Sequence, residues 1–409
     1  MEEKVIKAAT VIITAISIIV AGTLLFFPQL HIRAEENREL RAQEAIERKE
    51  NMDALEMLQY NTANVDSQEG ISFDQQLRIA LPENVTPEDV SVENDYLTQT
   101  IIIKIPGADE NYLYNYPMIG KSYHIDNLTY ESEPEYGVIE ISLDSVVELQ
   151  KTSDEHYIYM DFLTPHEVYD KVVVIDAGHG GNAPGATKQG INEKDIDLAI
   201  VLKVKELFDE AGDESVGVYY TRTDDSNPSL EQRVDMANKA GADLFISVHN
   251  NSTKSGRMSS INGTAVMYDE EKASEENGSM QLAQICLEEM TAALGSTSKG
   301  IVKGHEIYII RTAEMPVALI EVGFMTNQDE LNRLNDEAYQ KEAAQAIYNA
   351  DVKIIAAKRD LIEAICKKMS SSELILETVY QGIAYLGYDL EPEAYAQIQQ
   401  KIMCYDLIQ

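Results

Sequence analysis

Four side chains of this sequence are suited to binding a metal ion and moving a proton: His179, Glu193, His249 and Glu321. Two imidazoles and one carboxylate form the His2Glu set that catalytic zinc uses, with one coordination position left open for water. A bound zinc ion lowers the pKa of that water to about 7 and polarises a carbonyl, but a general base must still collect the proton. Glu321, the fourth of these side chains, is a candidate for that base.

The elements that carry these residues predict that they meet at one edge of a sheet. From Lys171 onward, apolar strand patterns alternate with amphipathic helix patterns, which is typical of a parallel or mixed sheet with helices on both faces. Ligands of such sheets bind beyond the carboxyl ends of the strands. His179 follows the strand "VVVID", His249 ends "DLFISVH" and Glu321 falls late in "VALIEVGF". Taken singly, each residue has an ordinary structural interpretation, so the prediction rests on their joint placement.

Two local patterns add detail to this arrangement. Glycines around His179 let the backbone pass close to a bound centre without a Cβ in the way, and Glu193 lies on the first turn of the next predicted helix. Ser229 and Gln232 have the spacing of a capping box. The remaining predicted strands are "VGVYYT", "TAVMYD" and "EIYII". Two predicted helices cover about 192–210 and 279–295, and two more begin at about 229 and 328.

A nucleotide site is the main alternative for the glycine-rich loop. Gly178, Gly180 and Ala183 fit the loose dinucleotide fingerprint after a strand. However, Pro184 follows at once, the helix does not begin until about residue 192, and a histidine occupies the position where the backbone should approach a pyrophosphate. A P-loop fails as well, because the lysine that it requires is missing. We therefore expect no nucleotide cofactor.

Charge and hydropathy define the setting of this domain. The formal charge of −37 arises from 70 acidic against 33 basic residues. A chain with this charge lacks the basic surface that nucleic-acid-binding proteins use, so we expect no nucleic-acid partner. Residues 8–30 contain no charged side chain and are long enough to cross a hydrocarbon layer of about 30 Å. Because Pro28 and "QLHIRAEENREL" follow, and not the small residues of a cleavage site, we interpret residues 1–33 as an uncleaved membrane anchor.

Four segments follow the predicted anchor. Residues 34–69, rich in charged helix formers, predict a helical stalk or linker. Residues 70–168 alternate short strand patterns with turn residues and predict a small all-β domain, for which a positioning role and a purely structural role both stay open. Residues 169–358 form the predicted α/β domain, and 359–409 predict a helical C-terminal extension that either packs on it or binds a partner.

Residues 171–357 resemble the zinc-dependent N-acetylmuramoyl-L-alanine amidases of the Amidase_3 type. The blocks that carry the resemblance occur in the family's order: "VVIDAGHGG", "NEKDIDLAIVLK", "YYTRTDD", "SLEQRVDMANKAGADLFISVHNN" and "MPVALIEVGFMTNQDE". The resemblance implies cleavage of the amide between the lactyl group of N-acetylmuramic acid and L-alanine of the peptidoglycan stem. It implies Zn²⁺ ligands at His179, Glu193 and His249 and a catalytic glutamate at Glu321. By position and strand pattern, the β domain is similar to the AMIN-type modules that precede such amidases.

The resemblance also shapes the expectations for substrate, partners and location. Arg311 and Asn250 are candidates for substrate contacts, although a surface salt bridge explains Arg311 equally well. The chain has "HNNS" where the family often has His-Ala-Asn-Ala. Because peptidoglycan lies outside the cytoplasmic membrane, we expect a single-pass membrane protein with its catalytic domain on the extracytoplasmic side. A protein activator remains open.

Two other functions stay open at this point. One is a wall-binding regulator that is catalytically silent or autoinhibited, although no ligand position is lost here. The other is a zinc peptidase that cuts within the stem peptide, which the metal-binding residues alone do not exclude. The new amine of the product distinguishes the amidase from the peptidase.

Overall fold

A computed structural model describes residues 52–66, 75–121, 123–271 and 278–368 of the chain. The chain divides into two compact units, the first within residues 1–95, 99–144 and 149–162 and the second within 96–98, 145–148 and 163–409. The predicted anchor and the stretch 369–409 of the predicted extension lie outside the described residues. Among the residues that are described, no helix combines the length and apolarity needed to cross a membrane.

The first unit consists of two four-stranded antiparallel sheets with short helices. Its sheets have the strand orders β4-β1-β8-β7 and β2-β3-β6-β5. The sequence of strand β3 is typical of a strand with one buried face. Its alternate residues Ile101, Ile103 and Ile105 are buried, while those between them are partly exposed. The elements are α1 (Ala54–Asp66), β1 (Leu77–Ala80), β2 (Ser91–Asp95), β3 (Thr100–Pro106), α2 (Tyr112–Asn115), β4 (Ile119–Gly120), β5 (Ile125–Ser132), β6 (Tyr136–Leu143), β7 (Glu148–Ser153) and β8 (Tyr157–Leu163), with a 3-10 turn at Pro87–Asp89.

Helix α1 falls within the segment predicted as a stalk, and it packs against the first unit. Leu58 is buried, and the Asn61 side-chain amide donates to the carbonyl of Met118 at 3.3 Å. The Thr62 hydroxyl donates to the carbonyl of Gly120 at 2.9 Å. Residues 54–66 of the predicted stalk are therefore a helix of the first unit, while its residues 34–51 and 67–69 lie outside the described residues.

The second unit contains a six-stranded mixed sheet with the strand order β12-β9-β13-β16-β14-β15. Strands β12, β9, β13 and β16 run parallel, and β14 runs antiparallel to β16. Its elements are α3 (Pro165–Val168), β9 (Lys171–Ala177), β10 (Thr187–Lys188), β11 (Ile191–Asn192), α4 (Glu193–Ala211), β12 (Val216–Tyr220), α5 (Leu230–Lys239), β13 (Leu244–Asn251), β14 (Thr264–Tyr268), α6 (Ser279–Leu294), β15 (Ser298–Lys303), α7 (Tyr308–Thr312), β16 (Val317–Phe324), α8 (Gln328–Leu334) and α9 (Glu337–Lys368).

Both faces of this sheet are covered, which is why β9 reads as an unbroken apolar run. Val173 and Ile175 of β9 pack in a core with residues of α4, α6 and α9. Val172 and Val174 pack in a second core with residues of α5 and α7. The prediction of a mixed or parallel sheet flanked by helices is confirmed.

Some local predictions are confirmed and others are wrong. The capping box is present: the Ser229 hydroxyl accepts from the Gln232 N–H at 3.1 Å, and the Gln232 side chain accepts from the Ser229 N–H at 2.9 Å. The predicted strand "EIYII" is wrong, because Tyr308–Thr312 is the short helix α7. A short apolar run does not distinguish a strand from a buried helical turn. The single helix predicted from residue 328 is two helices, α8 and α9.

Candidate functional site

Three parallel strands and one helix bring the candidate residues to one edge of the sheet. His179 follows the end of β9, while His249 and Glu321 are paired positions near the ends of β13 and β16. Glu193 is the first residue of α4. The structure therefore places these four residues at the carboxyl edge of the sheet, where this class of fold binds its ligands.

The side chains of His179, Glu193 and His249 converge on one another. Nε2 of His179 lies 3.1 Å and Nδ1 of His249 3.2 Å from the same oxygen, Oε1 of Glu193. The two imidazole rings contact edge to face, with centroids 4.8 Å apart. A ligand atom of Asp197, one helical turn after Glu193, completes a group in which all such atoms lie within 4.8 Å of one another.

The Glu193 carboxylate is held in place by the main chain as well as by the imidazoles. Its Oε1 accepts from the Asn250 N–H at 3.0 Å, and its Oε2 accepts from the Ala186 N–H at 2.7 Å. Burial raises the pKa of Glu193, but its hydrogen bonds with His179 and His249 outweigh burial and hold that pKa well below the usual value. Glu193 is therefore an anionic oxygen donor beside two imidazole nitrogens.

Two glycines create the space for this cluster, as the sequence predicts. A Cβ at Gly178 would collide with the ring of His249. Gly185, at φ +67°, would place a Cβ 2.6 Å from Oε2 of Glu193 and 2.7 Å from Cδ2 of His179. Both positions therefore exclude a side chain for steric reasons, and Gly185 also requires a left-handed backbone.

Two buried arginines hold the loop that carries His179. Arg233 donates to the carbonyls of Ala177 and His179, both at 2.6 Å, and forms an ion pair with Asp176 at 2.5 Å. Arg222 donates to the carbonyl of Ala177 at 2.9 Å and to that of Gly178 at 2.6 Å. The carbonyls of three consecutive residues are thus bound by guanidinium groups, which restricts the orientation of the His179 backbone.

Glu321 carries an oxygen that no group among the described residues satisfies. Its Oε2 is buried and has no hydrogen-bond partner among the described residues. Burial raises the pKa of Glu321 to about 7, with the His249 ring favouring the carboxylate and the charge of Glu193 opposing it. An acid of this kind is suited to accept and return a proton near neutral pH.

Asn250 and Arg311, the candidates for substrate contacts, have protein partners. Asn250 is 2% exposed, and its side-chain amide donates to Asp197 Oδ1 at 2.8 Å. Arg311 is exposed on α7, where its guanidinium donates to the carbonyls of His305 and Glu306 at 3.2 and 3.3 Å. Their roles in substrate binding stay predictions.

A cleft opens beside His179 and His249. Its volume is about 290 Å³, and Asn227, Pro228, Leu230 and Ile309 line it together with the two histidines, among others. Leu230 is 54% exposed, which leaves an apolar side chain at the mouth of the cleft. The cleft therefore reaches the two histidines of the cluster.

The cluster has the donor chemistry of a zinc site. Imidazole nitrogen and carboxylate oxygen are the ligands of catalytic zinc. Glu321, whose buried Oε2 has no partner among the residues that the structure describes, occupies the strand position paired with His249. The residues present therefore fit the metal that the resemblance implies.

Sequence reasoning missed three residues of this site: Asp197, Arg222 and Arg233. Asp197 had a detectable signal, because it lies four positions after Glu193 and so on the same helix face. The arginines lie in the blocks "YYTRTDD" and "SLEQRVD", but nothing local shows that their side chains bind carbonyls near His179.

Comparison with known proteins identifies relatives of the second unit. A family model described as N-acetylmuramoyl-L-alanine amidase matches residues 173–351. The uncharacterized protein YqiI of Bacillus subtilis (strain 168) is 38% identical over 179 residues, which are 44% of this chain and 82% of that protein. The germination-specific N-acetylmuramoyl-L-alanine amidase of the same strain is 30% identical over 204 residues, covering 46% of this chain and 82% of the relative.

A solved structure is also similar to 46% of this chain. The catalytic domain of CwlV, an N-acetylmuramoyl-L-alanine amidase from Bacillus (Paenibacillus) polymyxa var. colistinus, is 35% identical and covers 46% of this chain and 98% of its own, with a TM-score of 0.41. The residues matched by the family model include His179, Glu193, Asp197, His249 and Glu321.

Proposed function

Because this chain belongs to the N-acetylmuramoyl-L-alanine amidase family, we propose that it cleaves the amide between the lactyl group of N-acetylmuramic acid and the L-alanine of the stem peptide. The observation that supports this best is the convergence of His179, Glu193 and His249 beside Glu321 at one sheet edge. The reaction adds water across the C–N bond and releases a lactyl carboxylic acid and a free amine on L-alanine, and the acid then loses its proton to the solvent.

His179, Glu193 and His249 would hold a zinc ion. Bound zinc supplies a Lewis acid that polarises a carbonyl and lowers the pKa of a coordinated water. The main-chain donors of Asn250 and Ala186 orient the Glu193 carboxylate for this purpose, since each donates to a different oxygen. Arg233 and Arg222 orient the loop that carries His179.

Glu321 acts as the general base. Its Oε2 accepts a proton from the attacking water and returns it to the amide nitrogen as the C–N bond breaks, so the leaving group departs as a neutral amine. This role requires an oxygen that no protein donor already binds, and Oε2 of Glu321 has no such partner among the described residues. Burial excludes bulk water from competing for that oxygen.

The test is the chemical identity of the products. The purified full-length chain is incubated with peptidoglycan, with and without a zinc chelator, and the released fragments are identified by mass spectrometry. The proposal expects stem peptides with a free N-terminal L-alanine, and their loss with chelator and with Glu321→Gln. Cuts inside the stem would instead indicate a peptidase, and intact stems despite bound zinc would indicate a wall-binding regulator.

Residues 8–30 would anchor the enzyme in the cytoplasmic membrane, with the catalytic unit on the outer side. The apolar length of this segment and the location of peptidoglycan support this placement. Fractionation of cells, followed by protease treatment of intact spheroplasts, tests it. Recovery of the full chain in the soluble fraction, or protection of the catalytic unit from protease, would contradict it.

The first unit would position the enzyme on the wall, as AMIN-type modules do. Its eight strands form two antiparallel sheets, and the family match begins only at residue 173, so this unit lies outside the catalytic match. Co-sedimentation of the full-length chain with insoluble peptidoglycan, compared with a chain that lacks residues 52–162 and so keeps α3 of the second unit, tests the assignment. Equal sedimentation of the two proteins would refute it.

A further inference from the structure

We propose that Asp197 is a positioning residue of the metal site, which holds Asn250 so that its main-chain N–H binds Glu193. The inference rests on the proposed metal site and goes beyond it, because it assigns a role to a buried acid that the amidase chemistry does not use. It depends on a register shift in the sheet, a side-chain hydrogen bond and the orientation of one carboxylate.

The register shift lies at Asn250. His249 pairs with Glu321 and Asn251 pairs with Phe324, so β16 carries one extra residue opposite Asn250. Such irregularities interrupt the regular ladder and redirect main-chain groups. The N–H of Asn250 is directed to Oε1 of Glu193 at 3.0 Å. The same oxygen lies beside both imidazoles, so this N–H is one of the contacts that orient the donor oxygen.

Asp197 holds the side chain of the same residue. Its Oδ1 accepts from the Asn250 side-chain amide at 2.8 Å, and the two residues are 0% and 2% exposed. Glu193 and Asp197 are one turn apart on α4, so one helix face binds Asn250 at both its main chain and its side chain. With both groups held, the two hydrogen bonds restrain the peptide plane at the register shift from rotating away from Glu193.

The hydrogen bonding of the Asp197–Asn250 pair is incomplete. The remaining oxygens of the pair, Oδ2 of Asp197 and Oδ1 of Asn250, are buried without hydrogen-bond partners among the described residues. A pair that is buried and only partly satisfied persists at a cost, which suggests a function in orientation.

Asp197 could alternatively bind the metal itself, since its oxygen belongs to the cluster of donor atoms. The two roles differ in what the substitution Asp197→Asn does. The new amide would keep a carbonyl oxygen for the Asn250 side chain and would add an N–H₂ for the unpartnered Asn250 oxygen, but the change would remove an anionic ligand. A positioning residue therefore tolerates this substitution, whereas a ligand does not.

The experiment measures zinc affinity of the full-length chain by competition with a chromophoric chelator. Asp197→Ala is expected to weaken zinc binding by about 10- to 100-fold, the usual effect of removing a group that orients a ligand. Asp197→Asn should stay close to wild type. Asn250→Asp places two acids together and should weaken binding, and combining it with Asp197→Asn should restore the affinity, because the exchange rebuilds the pair.

Thermal unfolding of the metal-free proteins separates positioning from a general structural role. A merely structural residue would lower the unfolding midpoint of Asp197→Ala and leave the zinc affinity of the folded protein unchanged, which would overturn the inference. Equal loss of affinity in Asp197→Asn and Asp197→Ala would overturn it in favour of a ligand. Failure of the wild-type protein to bind zinc would instead overturn the proposed metal site, and the inference with it.

Discussion

His249 and Glu321 are directly paired across the parallel strands β13 and β16, immediately before the register shift at Asn250. The sheet itself therefore fixes the spacing between a proposed metal ligand and the proposed base. Two residues that are far apart in sequence become neighbours through main-chain hydrogen bonds and not through flexible loops.

Glu321→Gln should lower the rate of amide cleavage by about 10²- to 10⁴-fold, the usual contribution of a general base. The amide keeps the shape of the side chain but cannot accept the proton, so zinc affinity should remain. Initial rates of amine release from peptidoglycan measure the effect. Glu314→Gln, at an exposed glutamate before the same strand, is the matched control and should keep the wild-type rate. A fully active Glu321→Gln protein would remove Glu321 from the mechanism.

Removal of metal should abolish activity reversibly. Dialysis against a chelator takes away the proposed Lewis acid, and added zinc should restore cleavage of the wild-type protein. His179→Ala should not be restored at the same zinc concentration, because one of three ligands is absent. The measurement is the rate of amide cleavage as a function of the amount of zinc bound per protein. Full activity of a protein that contains no metal would contradict the proposed site.

Gly178→Ala should weaken zinc binding, because the added methyl group would collide with the His249 ring. Gly190→Ala is a useful comparison, since its Cβ would meet no atom within 4 Å and only its positive φ of +82° is unfavourable. That variant should lose about 1 kcal/mol of stability and keep its zinc affinity. Chelator competition gives the zinc affinity of both variants, and thermal unfolding gives their stability. Unchanged zinc binding by Gly178→Ala would contradict the packing described here.

Arg233→Met should lower the free energy of unfolding by about 3–5 kcal/mol, because it leaves the buried Asp176 carboxylate without its ion-pair partner. Lys205→Met removes an exposed ion pair with Asp209, four residues away on α4, and should cost at most about 0.5 kcal/mol. Denaturant unfolding of the metal-free proteins gives both values. Equal losses in the two variants would show that burial of the Arg233 pair has no special effect.

Asp351→Asn should stabilise the protein at neutral pH. Both carboxylate oxygens of Asp351 are buried without hydrogen-bond partners among the described residues, and burial raises its pKa well above the ordinary value of 3.8. The folded state then holds a proton that the unfolded state has lost, so this group destabilises the protein progressively as pH rises above about 4.

The difference in unfolding temperature between Asp351→Asn and wild type should therefore be larger at pH 7 than at pH 4. Asp235→Asn, at an exposed position on α5, is the comparison for the loss of a carboxylate that is not buried. A difference that shrinks toward neutral pH would have the wrong sign for a buried acid with a raised pKa.

Local patterns in the sequence were enough to predict the sheet and the four residues of the candidate site, His179, Glu193, His249 and Glu321. The unbroken apolar run of β9 requires burial on both faces, and strands that alternate with helices bring their carboxyl ends to one edge. His179, His249 and Glu321 each lie at such an end, so the edge could be predicted before any contact was known. The capping box at Ser229 was equally visible, because its two partners are three residues apart.

The tertiary structure alone decided how those residues are held. Asp197, Arg222 and Arg233 bind main-chain or side-chain groups that lie far from them in sequence, and nothing in their own neighbourhood identifies the partner. The register shift at Asn250 depends on the pairing of two strands, and α7 replaced a predicted strand because a short apolar run fits either element. Periodicity records which face of an element is buried, whereas the direction of a single N–H or guanidinium depends on the neighbours that packing brings to it.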